Sequence, residues 1–246
     1  MTKKEELMYQ IIGRLSTSDA PLVFKGALII KLILSDRGYT EMERQTRDID
    51  ANWVGEPPSM DDMVDAVDRS LGDLRNQFHA VAFRSYGDKM SAGIYIRDKS
   101  TDDEVVSMDI DMRPIVGSRI YHYGDISIRG VLVNEILSDK IAVLSKKNIF
   151  RRAKDLIDVY ALAHCVNVKT SDIFGMFEKN PDREIGPFTE FYTRRQDVEH
   201  AYGRLAGVDG KPPFDEVYSY LKAFIQPFAE RDFTPRVWSS NRLIWN

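Results

Sequence analysis

The sequence predicts an α+β fold, with a mixed β-sheet flanked by helices over residues 1–130 and a helical domain over 131–246. Three observations carry this expectation. Between residues 78 and 112 lie three strand-like runs, the last alternating strictly between apolar and polar residues, with a polar hairpin turn between the last two. Ahead of them, short strand-like runs at 22–24 and 46–54 are interleaved with helical patterns. From Val131 onward, apolar residues recur almost entirely at helical spacing.

Residues 4–16 read as an amphipathic helix, with Leu7, Ile11, Ile12 and Leu15 on one stripe. Pro21 interrupts, Leu22-Val23-Phe24 fits a short buried strand, and Gly26 supplies a tight turn. Residues 27–36 follow as a helix apolar on most sides, which suits a sandwiched position. After a loop at Ser35 to Thr40 comes a strand at about 46–54, stopped by Gly55-Glu56-Pro57-Pro58. Ser59 is a candidate N-cap, with Asp61 and Asp62 opposing the dipole of a helix reaching about Gln77. Strands are expected at 78–86, 91–97 and 104–112, with Asp98 to Asp103 as a hairpin turn, and a short one at Asp125 to Ile128. Helices are expected at 133–147, 151–166, 170–179, 189–206 and 214–226, and the tail from about 229 takes no assignment.

With 246 residues, 43% hydrophobic and 29% charged, the chain has an ordinary globular composition and can bury a sizeable core. A net charge of −4 argues against a general nucleic-acid coat, although a mean can hide a local basic face. Cys165 is the only cysteine, so no intrachain disulfide can form and a reducing compartment is expected. Residues 1–6 run into a mixed helix with no apolar leader, and no stretch approaches the roughly 20 apolar residues of a membrane span. A cytoplasmic protein with no membrane association is the expectation.

The chemistry starts at Arg44-Gln45-Thr46-Arg47-Asp48-Ile49-Asp50. On a strand, Asp48 and Asp50 point the same way, and two such close carboxylates are tolerable with a divalent cation, usually Mg²⁺, between them. Upstream, Lys25-Gly26-Ala27 joins a strand end to a helix start, which directs backbone N–H groups at an anion. A phosphate cradle followed by a metal-binding carboxylate pair is what transfer of a nucleotide from a triphosphate requires. Ser107, Asp109 and Asp111 share one strand face, so either aspartate could supply a third carboxylate if that strand lies beside 46–54. One Asp-x-Asp alone favours a solvated acidic edge; two on separate strands plus the glycine turn favour the metal.

Arg151, Asp155 and Asp158 are spaced i, i+4, i+7. This reads either as a surface helix laced with ion pairs, or as Asp155 or Asp158 orienting Lys140 towards triphosphate oxygens. Lys146, Lys147, Arg151, Arg152 and Lys154 would then track a polyanionic acceptor such as RNA. On spacing alone the surface account has the advantage. The four histidines form no metal-ligand pattern, and the chain has no Walker A, G-x-G-x-x-G or G-x-S-x-G sequence.

Taken in order, Lys25-Gly26-Ala27-Leu28, Arg44-x-Thr46-x-Asp48-Ile49-Asp50, Met108-Asp109-Ile110, Glu135-Ile136-Leu137-x-x-Lys140 and Arg152-x-Lys154-Asp155-Leu156-Ile157-Asp158 resemble the AbiEii/AbiGii-type nucleotidyltransferases. These are toxins of bacterial abortive-infection and toxin–antitoxin systems, within the DNA-polymerase-β-like nucleotidyltransferase superfamily. The resemblance spans roughly residues 20–162. It implies a polymerase-β-like core, with Asp48, Asp50 and Asp109 holding Mg²⁺. Asp109 is preferred over Asp111 because Met108-Asp109-Ile110 fits the family's hydrophobic-Asp-hydrophobic pattern. It further implies nucleotide binding by Lys25, Gly26, Ala27, Arg44 and Thr46, catalytic roles for Lys140 and Asp155 in the cleft, and Asp158 flanking. The implied partners are a nucleoside triphosphate, RNA or tRNA as acceptor, and a cognate antitoxin. The family's Gly-Gly-Thr or Gly-Ser is here Gly26-Ala27-Leu28, so one phosphate-binding hydroxyl is missing. That departure keeps open a degenerate binding module, and small-molecule or protein acceptors are further alternatives.

Overall fold

The computed structural model describes residues 3–85, 90–180 and 183–246, arranged as two compact units. The first comprises residues 1–32 and 45–131, and the second 33–44 and 132–246. Segment 33–44 belongs with the second unit because β2 (Glu43–Arg44) pairs antiparallel with β10 (Val208–Asp209).

The first unit is a seven-stranded mixed sheet. Its strands are β1 (Leu22–Lys25), β3 (Asp48–Trp53), β4 (Phe78–Arg84), β5 (Ser91–Asp98), β6 (Glu104–Asp111), β7 (Ser118–Tyr123) and β8 (Ile126–Val131), in spatial order β4-β5-β6-β3-β1-β8-β7. The β3–β6 and β1–β8 pairs are parallel and the rest antiparallel. Phe24, Ile49, Ala51, Met108 and Ile110 are buried. Helix α1 (Lys3–Thr17) lies so close to β8 that a Cβ on Gly13 would collide with Ile126. Helix α2 (Gly26–Asp36) brings Ile29 against Gly130 in the same way. Helix α3 (Met60–Ser70) buries Met63 and Val67, and the Asp68 carboxylate accepts from the Ala80 N–H on β4. Ser59 caps α3 as the sequence predicts, accepting from the Asp62 N–H.

Several elements differ from expectation. The helix projected to Gln77 stops at Ser70, because Gly72 adopts φ +59° and starts a separate 3₁₀ turn to Asn76. Strand β7, mostly exposed and lacking clear alternation, gave no sequence signal. The expected end of the first meander strand at Tyr86 lies outside the described residues.

The second unit is mainly helical: α4 (Val133–Leu144), α5 (Ala153–Cys165), α6 (Thr170–Lys179), α7 (Thr189–Thr193), α8 (Arg195–Gly203) and α9 (Phe214–Ala229). The helix expected at 189–206 is interrupted at Arg194, and the start of the 151–166 helix is a 3₁₀ turn over Ile149–Arg152. The tail forms β11 (Val237–Ser239) and β12 (Ile244–Trp245), which pair with each other and, through β11, with β9 (Val168–Lys169). Trp238 anchors it, fully buried and donating from its indole N–H to the Ala163 carbonyl at 2.8 Å. Burial pushes the half-buried Cys165 thiol up to about 11, which disfavours the thiolate at neutral pH. Among the described residues, no helix is long and apolar enough to cross a membrane.

Candidate functional site

In the first unit, sheet register builds a row of charged groups. Lys25 pairs across strands with Asp50, Asp50 with Asp109, Asp109 with Gly93, and Gly93 with Arg84. Directly paired residues share a face, so Lys25, Asp50, Asp109 and Arg84 lie along one line on the face opposite the apolar core. Asp48 joins the same face two residues before Asp50, and Asp111 two residues after Asp109.

The two candidate third carboxylates have different surroundings. Asp111 is buried, accepts from Lys25 Nζ at 2.8 Å, and accepts from the Arg113 guanidinium and backbone N–H. Burial pushes its carboxyl up, but the Arg113 hydrogen bonds and the Lys25 charge outweigh it and hold the group well below the usual carboxylate range. Asp111 is thereby committed to steadying Lys25. Asp109 is half-exposed and accepts a single strong contact, from Arg84 Nη2 at 2.6 Å. It stands directly opposite Asp50.

The glycine turn is fitted to this row. Gly26 has φ +71°, which a side chain resists, and a Cβ there would stand 2.1 Å from Asp50 Oδ2. The Asp50 carboxylate therefore rests directly over the Gly26 backbone at the start of α2. Ala27 turns its methyl into the core, so it can meet a ligand only through its backbone. Buried Thr46 donates from Oγ1 to the exposed Asp48 carboxylate at 2.9 Å, which fixes that side chain. Asp48, Asp50 and Asp109 offer only hard oxygen donors on one face, the chemistry that suits Mg²⁺. The space a Cβ would fill at Gly26 is kept for the Asp50 carboxylate, and donor set and register both fit a divalent cation. Among the described residues, no three acidic, histidine or cysteine groups already converge as a metal cage. Asp109 is instead paired with Arg84.

In the second unit, a separate charged cluster is buried. Arg44 grips Asp158 with two hydrogen bonds, Nε to Oδ1 at 2.8 Å and Nη2 to Oδ2 at 3.0 Å. Lys140 Nζ lies 2.7 Å from Asp155 Oδ1 and 2.8 Å from Asp158 Oδ2. Burial pulls Lys140 down, but the facing Asp158 and Asp155 carboxylates overcome it and hold the ammonium above its ordinary range. Burial likewise pushes Asp158 up, and the Lys140 and Arg44 charges bring it below the carboxylate range. This is not the solvated ion-pair face that spacing favoured. Asp155 meets Lys140 rather than Arg151, which lies exposed in the 3₁₀ turn beside Arg152. Lys154 is also exposed. Arg44, expected as a nucleotide contact, has its fork engaged by Asp158.

Sequence reasoning missed Arg84, Arg113 and the reach of Arg44. Arg113 could have been found as a cation two residues past a strand-end aspartate. Arg84 could not, because only a β-bulge between Ala82 and Arg84 brings it opposite Gly93.

Compared with known proteins, residues 10–217 match the family model described as nucleotidyl transferase AbiEii toxin, type IV toxin–antitoxin system. No curated protein matches the chain. Among solved structures, the nucleotidyltransferase toxin MenT4 from Mycobacterium tuberculosis H37Rv is similar at 15% identity and a TM-score of 0.48, over 93% of this chain and 90% of that one.

Proposed function

The chain belongs to the AbiEii nucleotidyl transferase toxin family, and from that premise we propose that it transfers a nucleoside monophosphate to a hydroxyl of RNA, with tRNA the first candidate, in a divalent-cation-dependent reaction. Membership makes it a nucleotidyltransferase and the toxin of a type IV toxin–antitoxin system, with a nucleoside triphosphate as substrate and an antitoxin as partner. The observation that carries the finer reading is the in-register row Lys25–Asp50–Asp109, with Gly26 packed under the Asp50 carboxylate.

In the reaction, the acceptor oxygen bonds to the α-phosphorus, the bridge to the β-phosphate breaks, pyrophosphate leaves and the hydroxyl proton passes to water. Asp48, Asp50 and Asp109 are the residues that would hold Mg²⁺. When bound, that ion lowers the acceptor hydroxyl's pKa and offsets charge at the α-phosphate. Lys25, steadied by Asp111, neutralises the departing pyrophosphate together with the backbone N–H groups after Gly26. Those groups replace the hydroxyl residue missing at Ala27. We assign Lys140 the role of a further triphosphate contact, oriented by Asp155 and Asp158. Exposed Arg151, Arg152 and Lys154 are assigned to the acceptor backbone.

Gly26→Ala tests the fit between the turn and the carboxylate. The new Cβ must displace Asp50, so transfer should fall by about a hundredfold. The strained turn should lower stability by about 1 kcal/mol. Initial rates and thermal unfolding measure the two effects, and a variant as active as the parent would remove Gly26 from the site.

The acceptor is tested by incubating the protein with Mg²⁺, each of the four α-³²P-labelled triphosphates in turn, and total tRNA. Label is expected in RNA with one nucleotide preferred. Label in the toxin itself, or none in RNA with any triphosphate, would overturn the RNA assignment.

A further inference from the structure

The far end of the carboxylate row ends in an aromatic pair that the reaction as described does not use. Phe83 is the extra residue of the β4 bulge and remains 40% exposed. It stacks on Tyr95 with ring centroids 4.1 Å apart and planes 19° from parallel. The same ring lies flat on Gly93, where a Cβ would stand 2.4–2.7 Å from its atoms. Gly93 is the direct neighbour of Asp109, and Tyr95 is paired with Ser107, so both lie on the carboxylate face. Two guanidiniums flank the pair, Arg84 over Phe83 at 5.4 Å and Arg97 over Tyr95 at 5.6 Å.

We propose that Phe83 and Tyr95 form a stacking platform for an unpaired nucleobase of the acceptor strand, whose phosphates would take over the guanidiniums that Arg84 and Arg97 now pair with Asp109 and Asp102. Exposed Phe83 and part-exposed Tyr95 together leave aromatic surface on this sheet face for another π-system. Adjacent arginines complement a nucleic-acid backbone and add cation–π attraction. The choice of acceptor over donor rests on the proposed reaction. In-line displacement puts the leaving pyrophosphate and the attacking hydroxyl on opposite sides of the α-phosphate. With pyrophosphate at Lys25 and Gly26, the acceptor strand approaches from the β5 side, where Gly93 lies roughly 14 Å from Lys25 across three strand spacings. That is where the platform stands.

The test is fluorescence anisotropy with a fluorescein-labelled, mixed-sequence single-stranded RNA octamer in EDTA, so that neither metal nor nucleotide is involved. Phe83→Ala is expected to weaken octamer binding by about 5- to 50-fold, the loss of one stacked base. Phe83→Trp should retain binding, and the same strand annealed to its complement should bind Phe83→Ala and parent alike. Affinity for the triphosphates with Mg²⁺ should be unchanged in Phe83→Ala. Equal octamer affinity in Phe83→Ala and parent, or no octamer binding by the parent, overturns the platform. So does a loss confined to triphosphate binding, which would give the rings to the donor base. Failure of the reaction reading has its own signature, transfer that survives Asp48→Asn with Asp50→Asn. Phe83→Ala with an unchanged thermal transition excludes a collapsed sheet edge.

Discussion

Replacing Asp48 and Asp50 together by asparagine is expected to lower nucleotidyl transfer by at least about a thousandfold while leaving the fold intact. Each asparagine keeps the size of the side chain but removes the charge that would bind a divalent cation. Several kcal/mol of transition-state stabilisation go with that cation. The fold is expected to survive for an electrostatic reason: Asp48 is exposed, Asp50 is half-buried, and the two carboxylates repel each other on one strand face. Their removal should leave the thermal transition unchanged or slightly raised. The measurement pairs label incorporation per minute with a melting curve on the same preparation. A folded variant with more than about a tenth of parental transfer would remove these residues from the chemistry.

Asp158→Asn is expected to produce the largest loss of stability, about 3–5 kcal/mol, because it leaves Arg44 and Lys140 buried with one carboxylate between them. For a chain of this size the melting temperature should fall by roughly 10 °C. Asp155→Asn should cost much less, since Lys140 keeps Asp158 and Arg44 keeps both of its hydrogen bonds. Arg44→Lys should not behave conservatively, because a single ammonium cannot reproduce the two-point grip on Asp158. The pH dependence follows from the directions of the two shifts. Asp158 titrates lower in the folded state, so its contribution is complete above the unfolded value of about 3.9 and disappears as pH falls towards the depressed one. Lys140 titrates higher when folded, so its contribution is complete below about 10.4 and is lost only above that. The stability gap between parent and Asp158→Asn should therefore be flat from about pH 5 to 9 and narrow below about pH 4. Circular dichroism melts across that range measure it; a gap within about 1 °C of zero at pH 7 would contradict a buried cluster.

What the sequence made legible depended on how local the signal was. The alternation through Asp48-Ile49-Asp50 and Met108-Asp109-Ile110 assigned faces correctly, because side-chain direction on a strand follows from the residue's own position. That the two strands are neighbours was a conditional inference, and the parallel register Asp50 to Asp109 supplies what no spacing could. Burial of Asp158 was hidden because an i, i+4, i+7 pattern looks the same on a wet face and a dry one. Its partner Arg44 lies 114 residues earlier, beyond any local rule. Phe83 and Arg84 were invisible for another reason. A strict period-two reading of β4 assigns Phe83 to the odd face but Arg84 to the even one, and one bulged residue changes that. Gly72 offered a visible warning that the 59–77 helix would break, whereas the exposed edge strand β7 and the tail offered none.

Whether Asp48 and Asp50 hold the catalytic cation is decided by Mn²⁺ binding rather than by turnover. Electron paramagnetic resonance titrations with a non-hydrolysable triphosphate present would follow free Mn²⁺ for the parent, Asp109→Asn, and Asp48→Asn with Asp50→Asn. Protein-dependent Mn²⁺ uptake is expected in the parent, weakened by Asp109→Asn and absent in the double variant. Identical uptake by the parent and the folded double variant would show that the carboxylate row does not hold the metal, and the proposed mechanism would fall with it.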